Sequence, residues 1–173
     1  MSIIDKAKSF MGGHGVTVRH ATIEGAEPAT AALALTTGGL RGQFAVVSDK
    51  PCTILSRQTE MVTEIQHADG RAEQVVLGRQ ITPDPDVAPD PDATPAAAPT
   101  EGTAATVKYP YDLAAGFEVV DEFDLVFDGS IEAVLGQRVL LPGSDVRFFL
   151  RTRVDVKGSP FDPEAVDELP LRR

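Results

Sequence analysis

Three histidines, one cysteine and a row of cations are the residues in this chain with the types to do chemistry. His14, His20 and His67 fall on turns or at strand ends, and their spacing matches no metal pattern such as the His-Glu-x-x-His helix. They read as surface side chains without a metal. The single cysteine, Cys52, excludes an intrachain disulfide and a multi-cysteine zinc site. Only Lys50 stands near it, so it lacks the electropositive setting that makes a reactive thiolate and reads as an inert, partly buried thiol. No Gly-x-Ser-x-Gly elbow is present. "TTGGLRG" lacks the Lys-Ser/Thr of a phosphate loop and leads into a strand, not a helix N-terminus. Paired carboxylates such as Glu122 and Asp124 read as solvated charges on an outward strand face. No catalytic residue, metal ligand or cofactor site is expected, and the enzyme class is set aside.

The cations are more informative. In "VRFFLRTRVDVK" the period of two sends Val146, Phe148, Leu150, Thr152, Val154 and Val156 inward. Arg147, Phe149, Arg151, Arg153, Asp155 and Lys157 are sent outward. In "FEVVDEFDLVFD" the residues Phe117, Val119, Phe123, Leu125 and Phe127 share one parity. Glu118, Glu122, Asp124 and Asp128 share the other, which predicts a half-buried strand broken near Asp121. If the two strands are neighbours, acidic and basic rows face each other, each pair contributing about 0.2–1 kcal/mol. The alternative uses of the row are a surface for a carboxylate-rich protein partner and protection of an edge strand. Arg147, Phe149, Arg151, Arg153 and Lys157 are therefore the candidate partner-binding residues.

These rows need strands to hold them. With 173 residues the chain can bury a core without staples, and with no Trp that core must rest on Val, Leu, Ile, Phe and Ala. Residues 2–11 predict a short amphipathic helix with Ile3, Ala7, Phe10 and Met11 on one stripe. So short a helix needs a surface to dock on, either its own domain or a membrane. Strands come next at Val16 to Arg19, through Leu40, Gly42, Phe44 and Val46 on one face, at Thr53 to Gln66, and at Glu73 to Ile81. Residues 82–105 hold six of the thirteen prolines and almost no large apolar side chain, which predicts an acidic disordered loop inserted between strands of one domain spanning 1–173. Its proline-stiffened aspartates diverge, unlike the converging carboxylates of a calcium loop.

The net charge of −10 is concentrated in residues 82–129, with one cation against eleven carboxylates. An acidic chain is a poor competitor for phosphate counterions, which argues against nucleic acid as a partner. There is no apolar run of about 20 residues to span a bilayer and no secretory signal pattern, so a cytoplasmic location is expected.

The closing run "FLRTRVDVKGSPFDPEAVDELPL" carries a resemblance. Leu150, Thr152, Val154, Asp155, Val156, Asp162, Pro163, Asp167, Leu169 and Leu171 match the end of a known domain, and "DEFDLVF" is similar to the Phe-rich strand before it. The chain resembles the first domain of the bacterial arrestin-like sporulation-control family, the type of the stage zero sporulation protein M. The resemblance implies an all-β, immunoglobulin-like (arrestin-type) β-sandwich with a short N-terminal helix. It further implies a non-enzymatic regulatory or scaffolding role, with proteins bound at strand edges and loops. A self-assembling structural protein, a homo-oligomer built through its sheet edges, is the alternative expectation.

Overall fold

The computed structural model describes residues 15–83, 96–97, 107–138, 140 and 142–172. The expected helix at 2–11 and His14 lie outside the described residues, as does most of the expected acidic loop.

Nearly all regular structure is β. The strands are β1 (Val16–Ile23), β2 (Gly39–Ser48), β3 (Cys52–Gln66), β4 (Ala72–Thr82), β5 (Ala96–Ala97), β6 (Tyr111–Leu113), β7 (Glu118–Val126), β8 (Asp145–Val156) and β9 (Glu164–Leu169). One sheet runs β1-β2-β7, and the other runs β5-β6-β3-β8-β9. Among the described strands each strand-to-strand pairing is antiparallel except the short one between β5 and β6. The 15-residue β3 is the spine of the larger sheet. Along one side it pairs with β8; along the other it pairs first with β6 and then with β4.

The two sheets close over one core. Leu40, Phe44 and Val46 from β2 and Val119, Phe123 and Leu125 from β7 join Met61, Phe148, Leu150 and Val154 of the other sheet. Each such side chain contributes about 1.5–3 kcal/mol by leaving water. The alternation of β2 holds, and its smallest member has a reason to be small. A Cβ on Gly42 would stand 2.6 Å from the Phe123 ring and against the Thr22 carbonyl oxygen. In β1 the register against β2 slips between His20 and Thr22, so both His20 and Ile23 reach the interior.

Two expectations are corrected. First, β7 runs unbroken through Asp121, which lies on the inner face with Val119 and Phe123. Second, the acidic and basic rows do not face each other, because β7 sits beside β2 while β8 lies between β3 and β9 in the other sheet. Each row is neutralised by different neighbours. Arg19 meets Glu118 at 2.7 Å and Arg41 meets Asp124 at 3.0 Å, whereas Arg151 meets Glu64 at 2.7 Å and Arg153 meets Glu164 at 3.2 Å.

A short helix, α1 (Ile131–Gly136), comes after β7, where the sequence pattern predicts none. Ser130 caps it by accepting from the Ala133 N–H at 3.2 Å, and Ile131 plugs it into the core. Among the described residues no helix is long and apolar enough to cross a membrane.

Candidate functional site: a polar seam and a cationic face

Polar groups cross the sandwich at its centre. Arg57 of β3 and Asp121 of β7, only 4% and 2% exposed, join the two sheets at 3.0 Å from Nε to Oδ2. Arg57 Nη1 also donates to Thr59 Oγ1 at 3.3 Å and to Gln80 Oε1 at 3.1 Å, and Nη2 donates to the Glu122 carbonyl at 2.7 Å. The Asp121 carboxylate accepts from the Tyr109 hydroxyl at 2.8 Å, the Glu122 N–H at 2.8 Å and the Val107 N–H at 3.4 Å. The guanidinium also lies 5.4 Å from the Phe44 ring centroid. A buried ion pair survives only when its remaining donors and acceptors are met. Here they are.

The seam continues through hydroxyls. Thr59 Oγ1 lies 3.1 Å from Thr152 Oγ1, which lies 2.9 Å from His20 Nε2, and His20 Nδ1 lies 2.7 Å from Asp167 Oδ2. Arg57 can only donate and an ionised Asp167 can only accept. The hydrogen arrangement in which each hydroxyl both gives and receives therefore has one direction. Thr59 donates to Thr152, Thr152 donates to His20 Nε2, and His20 Nδ1–H donates to Asp167. His20 thus ties β1 of one sheet to β8 and β9 of the other.

This corrects the surface reading of the histidines. His20 is buried because it continues the inward parity of Val16 and Val18, ahead of the slip in β1. His67 is buried at the β3–β4 turn, with Nε2 3.6 Å from Glu73, which also pairs with Arg138. Cys52 is half-buried at the start of β3. Among the described residues no three of His, Cys, Asp and Glu are placed to hold a metal ion.

Burial raises the Tyr109 hydroxyl far above its ordinary range, with the Asp121 carboxylate adding to the effect. Tyr111, stacked edge-on against Tyr109 at 5.2 Å, is raised first by burial and then by the same carboxylate.

Beside the Arg57–Asp121 end lies an open cavity of about 680 Å³, bordered by Arg41, Gln43, Gln80, Glu122 and Asp124. Three of its four carboxylates are engaged, Asp121 by Arg57, Asp124 by Arg41 and Glu122 by Gln43 Nε2 at 3.3 Å, and the fourth is Glu24. The arrangement holds strands together.

The cationic face is on the outside of the larger sheet. Arg147, Arg151 and Arg153 lie along β8, and Lys157 stands exposed one residue past its end. Phe149 shares their parity yet is only 1% exposed. The guanidinium groups of Arg147 and Arg151 each lie 5.9 Å from its ring centroid and roof it over, while its cross-strand neighbour Val62 is also buried. Arg147 is further held by Asp145 at 3.3 Å. A partner on this face would meet the edges of arginines, not the phenyl ring. Sequence parity could have found Arg57, which shares a face with Met61 and Ile65 of β3, but not its contact with Asp121.

No family model matches the chain, and no curated protein sequence matches it. Among solved structures, it is similar to the sporulation control protein Spo0M of Bacillus subtilis, with a TM-score of 0.55 at 12% identity. That likeness covers 92% of this chain and 50% of the other, so the chain spans about half the length of that neighbour. An alkylpurine DNA glycosylase, AlkC of Pseudomonas fluorescens, matches with a TM-score of 0.32 and 15% identity over 91% of this chain and 31% of the other. The first likeness concerns the fold alone. The second bears no argument.

Proposed function

We propose that this chain is a non-enzymatic, cytoplasmic regulatory or scaffolding domain on an arrestin-type, immunoglobulin-like sandwich. It binds other proteins through sheet edges and loops. The observation that carries the reading is the state of two sheet edges. The outer edge of β7 is occupied by side chains: Arg57 takes the Glu122 carbonyl, Asp121 takes the Glu122 N–H, and Gln80 takes the Asp124 N–H. The outer edge of β4 is different. Among the described residues its main chain accepts one outside bond, from the Asp128 N–H to the Leu77 carbonyl, and residues 72–76 accept and donate none. Val76 at the end of that stretch is 39% exposed. An open edge of this kind takes an added strand, with main-chain bonds giving affinity and side-chain pockets giving selectivity. The Spo0M-like fold supports the same reading.

In this reading Arg147, Arg151, Arg153 and Lys157 select a carboxylate-rich partner, with Phe149 as the platform beneath the first two. Affinity capture from the source lysate, comparing the wild-type chain with Val76→Lys, tests the role of the edge. A partner held by wild type and lost by the folded variant supports it; a folded wild type that retains no partner refutes protein binding.

The same open edge favours a second reading, a self-assembling protein in which residues 72–76 pair with another copy. Light scattering separates the two: a mass that rises with concentration supports assembly, and a constant monomer mass removes it.

A further inference from the structure

The segment that leaves β7 runs back past the β4 edge, and its first part is pinned. A Cβ on Gly78 of β4 would stand 2.5 Å from the Val126 carbonyl oxygen and 2.9 Å from the Phe127 ring, so the two chains touch there. Asp128 N–H then donates to the Leu77 carbonyl at 3.2 Å. Ile131 N–H donates to the Thr37 carbonyl at 3.0 Å and Glu132 N–H to the Leu35 carbonyl at 2.8 Å, with the Ile131 side chain buried.

Beyond Glu132 the hold is weaker. Among the described residues the N–H groups of Val134 and Arg138 bond only within the segment, to the Ser130 and Leu135 carbonyls, and Val134 and Leu135 are only partly buried. The six residues of α1 are too few to persist as a helix on their own. What ties this end to β4 is a side-chain pair, Arg138 with the Glu73 carboxylate. The two side chains are 32% and 37% exposed, so water and salt reach the pair. His67 Nε2 lies 3.6 Å from the same carboxylate. Arg138 Nε and His67 Nδ1 are buried here without a hydrogen-bond partner among the described residues. Buried polar atoms in that state cost stability, and opening the pair gives them water.

The position of this latch matters. Glu73 shares the inward parity of Val75 and Leu77 and pairs in register with the buried Ile65. The segment therefore meets β4 at Leu77 and again at Glu73, along the side that faces the other sheet. A strand added at residues 72–76 must send every second side chain to that same side, into the room this segment holds.

We propose that residues 128–138 are an autoinhibitory strap on the β4 edge, pinned at its start and latched by Arg138 to Glu73, and that an added strand takes the edge when the latch opens. The proposal rests on the protein-binding reading and supplies the regulation of its edge.

The test uses a labelled peptide with the sequence of residues 59–66, the strand that already pairs with β4 on its other side, titrated against the intact chain. Arg138→Gln binds it about two- to fivefold more tightly than wild type, the worth of a half-exposed ion pair. Salt at about 1 M raises the wild-type affinity in the same direction and loses that effect in Arg138→Gln; this arm probes the latch without any substitution. In the free variant the amides of Val134 and Arg138 exchange faster by a similar factor, while those between β3 and β8 do not change. Circular dichroism checks that the variant folds. Equal affinity in wild type and Arg138→Gln, or strap amides that exchange at the same rate in both, overturns the proposal. So does peptide binding that survives Val76→Lys, because the peptide then sits elsewhere. A peptide bound by neither form also overturns it, and capture from the lysate separates the cases. If wild type still retains a partner, protein binding stands without the strap; if it retains none, both fall.

Discussion

Replacing Asp121 by Leu removes the acceptor for four donors at once. Arg57 loses its ion pair, and the Tyr109 hydroxyl and the N–H groups of Glu122 and Val107 lose their partner. With Arg57 only 4% exposed, its charge cannot turn to water without opening the sandwich. Stranding one member of such a pair costs about 3–5 kcal/mol. With a urea dependence near 2 kcal/mol per molar, the unfolding midpoint falls by about 2 M. The chain has no Trp, so circular dichroism is the signal to monitor. Adding Arg57→Met to Asp121→Leu removes the stranded charge and recovers at least about 2 kcal/mol of the loss, the size of coupling expected for directly bonded groups. Recovery is incomplete because the Tyr109 hydroxyl still lacks its acceptor. A single-variant loss below about 1 kcal/mol, the value for an exposed pair, would refute the reasoning, since it would mean that water already reaches the guanidinium.

The tyrosines give a second expectation. Both tyrosines of the chain, Tyr109 and Tyr111, are raised above the ordinary value near 10. Their contribution to stability is therefore complete below pH about 10 and is lost as pH rises beyond it. Tyrosinate absorbance should stay flat through that pH and then appear together with loss of the circular dichroism signal; a smooth titration in the folded protein contradicts the burial. Along the hydroxyl chain, Thr59→Val or Thr152→Val alone strands a partner and costs about 1–3 kcal/mol. Because the double variant removes the hydroxyl–hydroxyl bond from both sides, its loss in thermal unfolding should be smaller than the sum of the two. Gly42→Ala drives a methyl into the Phe123 ring and the Thr22 carbonyl, so a loss of about 1–3 kcal/mol is expected from overpacking; a neutral result would show that β1 and β2 separate easily there.

Alternation makes much of this fold readable. The inward set of β8, from Val146 to Val156, and the two faces of β2 result from a period of two, and the strands stand where turn residues leave room for them. Parity also places Asp121 inward, but a lone carboxylate among Val119, Phe123 and Leu125 reads as a break until its partner is known. That partner lies 64 residues earlier in the chain, beyond any local pattern. For the same reason the neighbours of the charged rows are not legible in the sequence. Which sheet a strand joins depends on long crossovers, and β2 pairs with β7 across four intervening strands. Alternation from Val16 and Val18 already carries His20 inward, whereas the burial of Ile23 escapes it because a one-residue slip after His20 reverses the face of the residues that follow. Phe149 does lie on the outer side, as parity requires, and only the lateral reach of Arg147 and Arg151 decides that it is covered.

Hydrogen exchange along β4, in the free protein and in complex with whatever partner it retains, tests the account most directly. In the free chain, outward-pointing amides within residues 72–76 should exchange fast, while those bonded to β3 stay protected. Binding should slow the outward set to the rate of its neighbours, as an added strand requires. If β4 exchanges identically in both states while protection appears elsewhere, the open edge is not where the partner binds.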